Sequence, residues 1–154
     1  MGMKITKQSI RYFTLFKLPL VYFSGIRISN INDDRVEASV RLRWINQNPF
    51  RSLFWAVQGM AAELTTGALM MREIEEQNKP VSMLVIGTKA SFSKKAKGRI
   101  RFSCEQAQDA KDLVQKAISS GDGQLHWFTS VGIDESGDEV SRFSFHWSVK
   151  SKSA

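Results

Sequence analysis

The stretch QGMAAELTTGALMM (Gln58 to Met71) places one carboxylate, Glu63, near the middle of an otherwise apolar, helix-forming run. An ionised carboxylate in a core is costly unless it is paired. Burial disfavours its charged form and raises its pKa, which suits a general acid or base near neutrality. The competing reading puts Glu63 on an exposed edge of the helix, or beside an Arg or Lys. Thr65 and Thr66 follow as hydroxyl candidates. For each, the alternative is a hydroxyl bonded back to the carbonyl one turn earlier.

Asn48 precedes the run. A side-chain amide at a helix entry can cap the helix, or can hold a water or a carbonyl. Pro49 suits the first helical position, and Ser52 is a competing cap one turn later. The helix N-terminus itself carries free N–H groups and the positive end of the dipole, which can polarise a carbonyl or hold an oxyanion. Residues 55 and 63 lie roughly 12 Å apart along a helix axis, at about 1.5 Å per residue. Glu63 therefore serves that N-terminus only if a second, antiparallel copy of the helix lies alongside. A catalytic role for Glu63 at that N-terminus therefore predicts a two-fold dimer with composite sites.

The elements that must position these residues follow from the apolar periodicity. RVEASVRLRW alternates, with Val36, Ala38, Val40, Leu42 and Trp44 on one face of a half-buried strand. From Leu53 onward the chain is rich in Ala, Leu and Met, which predicts a long helix over about residues 53–77, buried on most sides and polar at its REIEEQ end. VSMLVIGTKASF is apolar on both faces at its centre and reads as an interior strand. GRIRFSCEQ turns Ile100, Phe102 and Cys104 inward. QDAKDLVQKAISSG is a short amphipathic helix, and GQLHWFTSVGI and EVSRFSFHWSVK are two more strands. His126 and His146 both read as outward strand residues, and Cys104 as core. The order predicts a single α+β domain over residues 1–154, an antiparallel sheet wrapped around the central helix. An N-terminal helix is expected over about 7–18, stopped by Pro19, and a frayed tail over about 151–154.

NPFRSLFWAVQGMAAELTTGALM resembles the central-helix signature of hot-dog fold acyl-CoA thioesterases, and is most similar to a thioesterase-like branch of unknown function whose helix reads NPF, an aromatic, then MAAELTTG. The likeness extends over roughly residues 10–150. In the phenylacetate-degradation type of hot-dog thioesterase an asparagine precedes the helix, His-Gly-Gly stands at its N-terminus, and an Asp or Glu follows two turns on. Counted from Asn48, Glu63 falls at the acid's place, while Phe54, Trp55 and Ala56 replace His-Gly-Gly. The resemblance implies hydrolysis of an acyl-CoA thioester at a homodimer interface. Glu63 would activate water or attack the carbonyl, and Asn48 would position the water or the thioester. The Trp55 amide would hold the oxyanion, and Thr66 would orient the water or the acid. The missing His-Gly-Gly leaves a second reading, a non-catalytic module that binds acyl-CoA or another lipid-like ligand. Dimers could pair into tetramers.

The basic turn Lys94, Lys95, Lys97 and Arg99, with Lys89 just before it, could bind the phosphates of coenzyme A. The alternative is a solvated hairpin protecting an edge strand. Coenzyme A enters as part of the substrate, and no separate cofactor is expected. A net charge of +7 points to anionic partners. No nucleic-acid motif accompanies it, so nucleic acid is the weaker candidate. One cysteine and two distant histidines argue against a disulfide or a metal site and fit a reducing, cytoplasmic compartment. The basic, apolar N-terminal helix is expected to pack on the domain's own core, with membrane contact as the alternative.

Overall fold

Thr6 and Ser9 cap each other at the start of the first helix. Ser9 N–H donates to Thr6 Oγ1 at 3.1 Å, and Thr6 N–H donates to Ser9 Oγ at 2.8 Å. The computed structural model describes residues 4–152, and this helix, α1, runs Lys7–Lys17. Pro19 stops it and opens a second short helix, α2 (Pro19–Phe23), because proline fits the first helical position but not the interior. Ile10, Thr14 and Val21 point into the core, whereas Phe16 is 74% exposed and does not join it.

The strands β1 (Arg27–Ile31), β2 (Val36–Arg41), β3 (Val81–Phe92), β4 (Arg99–Cys104), β5 (Gln124–Ile133) and β6 (Glu139–Ser151) form one antiparallel sheet in the order β1-β2-β4-β5-β6-β3. The helix α3 (Trp55–Gln77) lies across the inner face against β2, β4, β5 and β6, with α4 (Ala107–Ser120) packed beside it. This is the α+β hot-dog arrangement.

Ala61, Ala62, Leu64, Ala68, Leu69 and Met70 are buried, so the helix is covered on most sides as its composition demands. Three polar contacts fix its rotation and register: Gln58 to Ser141 at 2.7 Å, Thr65 to Ser130 at 2.8 Å, and Trp147 to Thr66 at 3.0 Å. Gly132 is needed where β5 meets the core, since a Cβ there would stand 2.5 Å from the Phe102 ring.

The structure corrects several expectations. β3 is an edge strand, not an interior one; among the described residues it pairs with β6 alone, and no strand lies along its other side. Trp44 leaves the β2 alternation, because the chain turns into a 3-10 turn over Trp44–Asn46 and leaves the ring exposed. His126 shares the inner face with Phe128 and Ser130, and its ring meets Asp109 of α4 at 3.3 Å, while Trp127 takes the outer face. His146 does face outward, stacked on Trp127 at 4.5 Å. The acidic end of α3 is not wholly solvated: Glu73 is buried and paired with Arg72 at 3.0 Å. Ser151 closes β6, and the Lys152 N–H donates to the Pro80 carbonyl at 2.8 Å; residues 153–154 of the expected tail lie outside the described residues.

Candidate active site

α3 begins at Trp55, later than the Asn-Pro pair would place it. Phe54 is the N-cap, in extended backbone, and supplies no side-chain cap. Its carbonyl accepts from Val57 N–H at 3.0 Å and Gln58 N–H at 3.2 Å. Among the described residues, the N–H groups of Trp55 and Ala56 have no acceptor. They form an open pair of donors at the positive end of a long helix, the geometry an oxyanion needs.

Asn48 does not cap this helix. It closes the loop ahead of it: Oδ1 accepts from Phe50 N–H at 3.0 Å and Ser52 N–H at 3.2 Å, and Nδ2 donates to Ser52 Oγ at 3.0 Å. Arg51 takes a left-handed conformation (φ 55°) inside the turn. The loop is anchored at its far end by Leu53 N–H to the Ala96 carbonyl and Phe54 N–H to the Asn46 carbonyl. A cleft of about 400 Å³ opens at this point, walled by Asn48, Phe50, Trp55, Gln58, Lys94 and Lys95. Gln58 escaped the sequence reading, although it is the first polar residue inside the apolar run. Buried, it donates to the Leu53 carbonyl at 3.1 Å and accepts from Ser141, so it sets the floor of the cleft and the angle at which the helix starts.

The basic turn divides. Lys95 stands at the cleft with its ammonium 5.9 Å from the Phe50 ring. Lys94 also lines the cleft but is held by Asp134 at 2.7 Å and Asp138 at 2.6 Å, and these two carboxylates raise its pKa. Lys89 lies over Trp127 on the outer face of the sheet, 4.3 Å from the ring centroid. Arg99 alternates with inward Ile100 and lines a separate outer depression with Arg101. Lys97 is exposed in the loop before β4.

Glu63 does not line that cleft. It stands two turns along α3, half-buried, on the helix face it shares with Gly59 and Met60. Its carboxylate has neither a hydrogen bond nor an ion pair among the described residues, and burial raises its pKa. A Cβ added at Gly67 would lie 3.6 Å from Glu63 Oε1 and 3.7 Å from the Trp147 ring, so a glycine there leaves room beside both the acid and the indole. Thr66 is fully buried; its hydroxyl donates to the Glu63 carbonyl at 2.9 Å and accepts the Trp147 N–H. It meets the backbone of Glu63, not the carboxylate. One chain thus holds a donor-lined cleft with Asn48, Trp55 and Lys95, and a separate unpaired acid. Among the described residues no three His, Cys, Asp or Glu side chains converge as a metal ion would require.

The fold is similar to that of a Pseudomonas aeruginosa protein of unknown function described as a probable thioesterase, at 22% identity over 99% of this chain and 100% of that one, with a TM-score of 0.84. It is also similar to a thioesterase from Haemophilus influenzae, at 13% identity over 97% and 94% of the two chains and a TM-score of 0.74. A mutant thioesterase from Pseudomonas aeruginosa shares 13% identity over 97% of each chain, with a TM-score of 0.72. No curated protein matches the chain. Residues 6–149 match the family described as Domain of unknown function (DUF4442). The chain belongs to that family, on a hot-dog fold shared with thioesterases.

Proposed function

We propose that the protein is an acyl-CoA thioesterase that works as a homodimer with composite sites. The observation that carries this reading is the division of labour along α3. Two N–H groups without an acceptor stand at its start, where Trp55 lines the cleft, and an unpaired, half-buried carboxylate stands roughly 12 Å further on. An antiparallel copy of the helix would set the acid of one subunit against the donors of the other. Dimerisation has support in β3, an edge strand that carries exposed Leu84, Ile86 and Phe92. Such an edge pairs readily with a second copy of itself.

In this reading Glu63 takes a proton from water as the water attacks the thioester carbonyl. The Trp55 and Ala56 amides of the facing helix hold the oxyanion, and the thiolate leaves as the tetrahedral intermediate collapses. Asn48 shapes the loop that lines the thioester, and Lys95 meets the phosphates of coenzyme A. Thr66 is a positioning residue that holds the Glu63 backbone to the sheet. Purified protein should release free thiol from a panel of acyl-CoAs, and Glu63→Gln should lose that release; equal rates for the two proteins would overturn the assignment. Cys104 does not disturb a thiol-reagent readout, because burial pushes its pKa up to about 12.

One observation favours a second reading. Trp55 is 59% exposed and lines the cleft, and by resemblance it stands at the first glycine of the His-Gly-Gly that the chain lacks, with Phe54 edge-on to it at 6.0 Å. Such a wall also suits a module that binds acyl-CoA without cleaving it. Tight binding with no turnover across the panel would select that reading.

A further inference from the structure

The α1–α2 hairpin carries three features that the proposed thioester site does not use. First, its outward residues are apolar: Phe16 is 74% exposed, Leu20 69% and Phe23 62%, with Tyr12 one turn before Phe16. Second, its charge has one sign. Lys4, Lys7, Arg11, Lys17 and Arg27 all precede the first acidic residue of the chain, Asp33. Among the described residues none of the five forms an ion pair. Arg27 is held instead by the Tyr22 ring at 4.0 Å and the Tyr22 carbonyl at 2.7 Å, so its charge stays uncompensated. Third, a cavity of about 740 Å³ lies beneath the hairpin. Lys7 and Arg11 line it alongside apolar Ile10 and Ile28, and it reaches Leu64, the neighbour of Glu63 on α3.

Exposed aromatic and aliphatic side chains beside uncompensated cations match one chemistry, an interface that is both apolar and negative. We propose that the α1–α2 hairpin docks on the surface of an anionic lipid bilayer. Phe16, Leu20 and Phe23 enter the boundary between headgroups and acyl chains, while Lys7, Arg11 and Lys17 meet lipid phosphates. No helix among the described residues is long and apolar enough to cross a membrane, so the contact is with the surface. Ile10, Thr14 and Val21 keep the hairpin fastened to the core, so docking needs no unfolding of the domain. The cavity then opens beside the bilayer. The proposal stands whether or not Glu63 hydrolyses a thioester.

The test is co-sedimentation of the full chain with phosphatidylcholine vesicles, with and without phosphatidylglycerol, over a range of salt. Binding is expected only with phosphatidylglycerol present and should weaken as salt rises. The variant Lys7→Glu/Arg11→Glu/Lys17→Glu should bind on the order of a hundredfold less. The variant Phe16→Ser/Leu20→Ser/Phe23→Ser should lose on the order of tenfold or more. All six substitutions are at exposed positions, and unchanged circular dichroism confirms that each variant folds. Absence of binding to either vesicle, or binding unaffected by both variants, overturns the proposal. So does a change from dimer to monomer in the Phe16, Leu20 and Phe23 variant, which would make the hairpin a protein interface.

Discussion

Trp147 of β6 donates its indole N–H to Thr66 Oγ1 at 3.0 Å, and the same hydroxyl donates to the Glu63 carbonyl at 2.9 Å. The sheet thus holds the backbone that carries the candidate acid through one buried hydroxyl. Thr66→Val keeps the shape but leaves the indole N–H unsatisfied, which should cost about 1–3 kcal/mol. Trp147→Phe removes the indole N–H together with part of the ring's packing. Adding Thr66→Val to Trp147→Phe should then cost less than it does alone, because no donor remains to be orphaned. Denaturant unfolding of the two single variants and the double variant measures this coupling. Additive costs would show that the bond contributes nothing.

Glu63 links stability to pH. Its folded pKa is raised by burial with no partner to offset it. Below the ordinary value of 4.5 the acid is neutral in both folded and unfolded chains, and burial adds no cost from its charge. As pH rises above that value the unfolded chain ionises first, so folding loses free energy until the folded acid ionises too; above that the penalty is constant. Glu63→Gln should therefore melt higher than the native protein at pH 7, with the gap closing as pH falls toward 4.5. Thioester release should follow the opposite limb, rising with pH through the raised pKa as the base becomes charged. Melting curves of the two proteins over pH check the first half, and the pH–rate profile of the native protein checks the second.

The two lysines at the cleft should separate in kinetics. Lys94 already faces Asp134 and Asp138, whereas Lys95 has no acidic partner among the described residues. Lys95→Ala should raise KM for acyl-CoA roughly two- to fivefold, the size of one exposed ion pair. The same acyl group on a short phosphate-free thiol should show no change. Lys94→Ala should leave KM for acyl-CoA nearly unaltered. Equal effects of the two substitutions would remove Lys95 from the phosphate site.

Much of this architecture is legible in the sequence, and the misreadings share a cause. The Ala-, Leu- and Met-rich run announces α3, and Glu63 stands out because nothing around it is charged. Alternation locates the strands but not which face is inner: Leu125 and Trp127 look like core, yet it is His126 that shares the inner face with Phe128. Nor does it say where a strand sits in the sheet. Val81–Phe92 is apolar on both faces and reads as central, whereas it is one of the two edge strands. The dimer proposed above would cover its apolar outer residues, and a single sequence does not display such a partner. Asn48 misleads for a local reason. Asn-Pro suits a helix cap and a tight turn equally, and the choice rests on Ser52, whose backbone and hydroxyl both meet Asn48.

The composite site can be tested by exchange of subunits. Trp55 is the first residue of α3, where proline is tolerated because that N–H has no helical acceptor. Trp55→Pro should therefore fold while losing the indole and one of the two oxyanion donors, and its turnover should drop at least tenfold, as loss of a single such donor typically causes. Glu63→Gln should be inactive through loss of the base. Refolded together in equal amounts, the two variants form mixed dimers in which Glu63 of the Trp55→Pro chain faces the intact helix start of the Glu63→Gln chain. Half the dimers then hold one native site each, so activity should return to roughly one quarter of the native value. A site contained within one chain predicts no such recovery, because each chain in the mixture still lacks one of its parts. Recovery would also place the two helices antiparallel and side by side, since no other arrangement lets an acid two turns along one helix reach the first N–H of another.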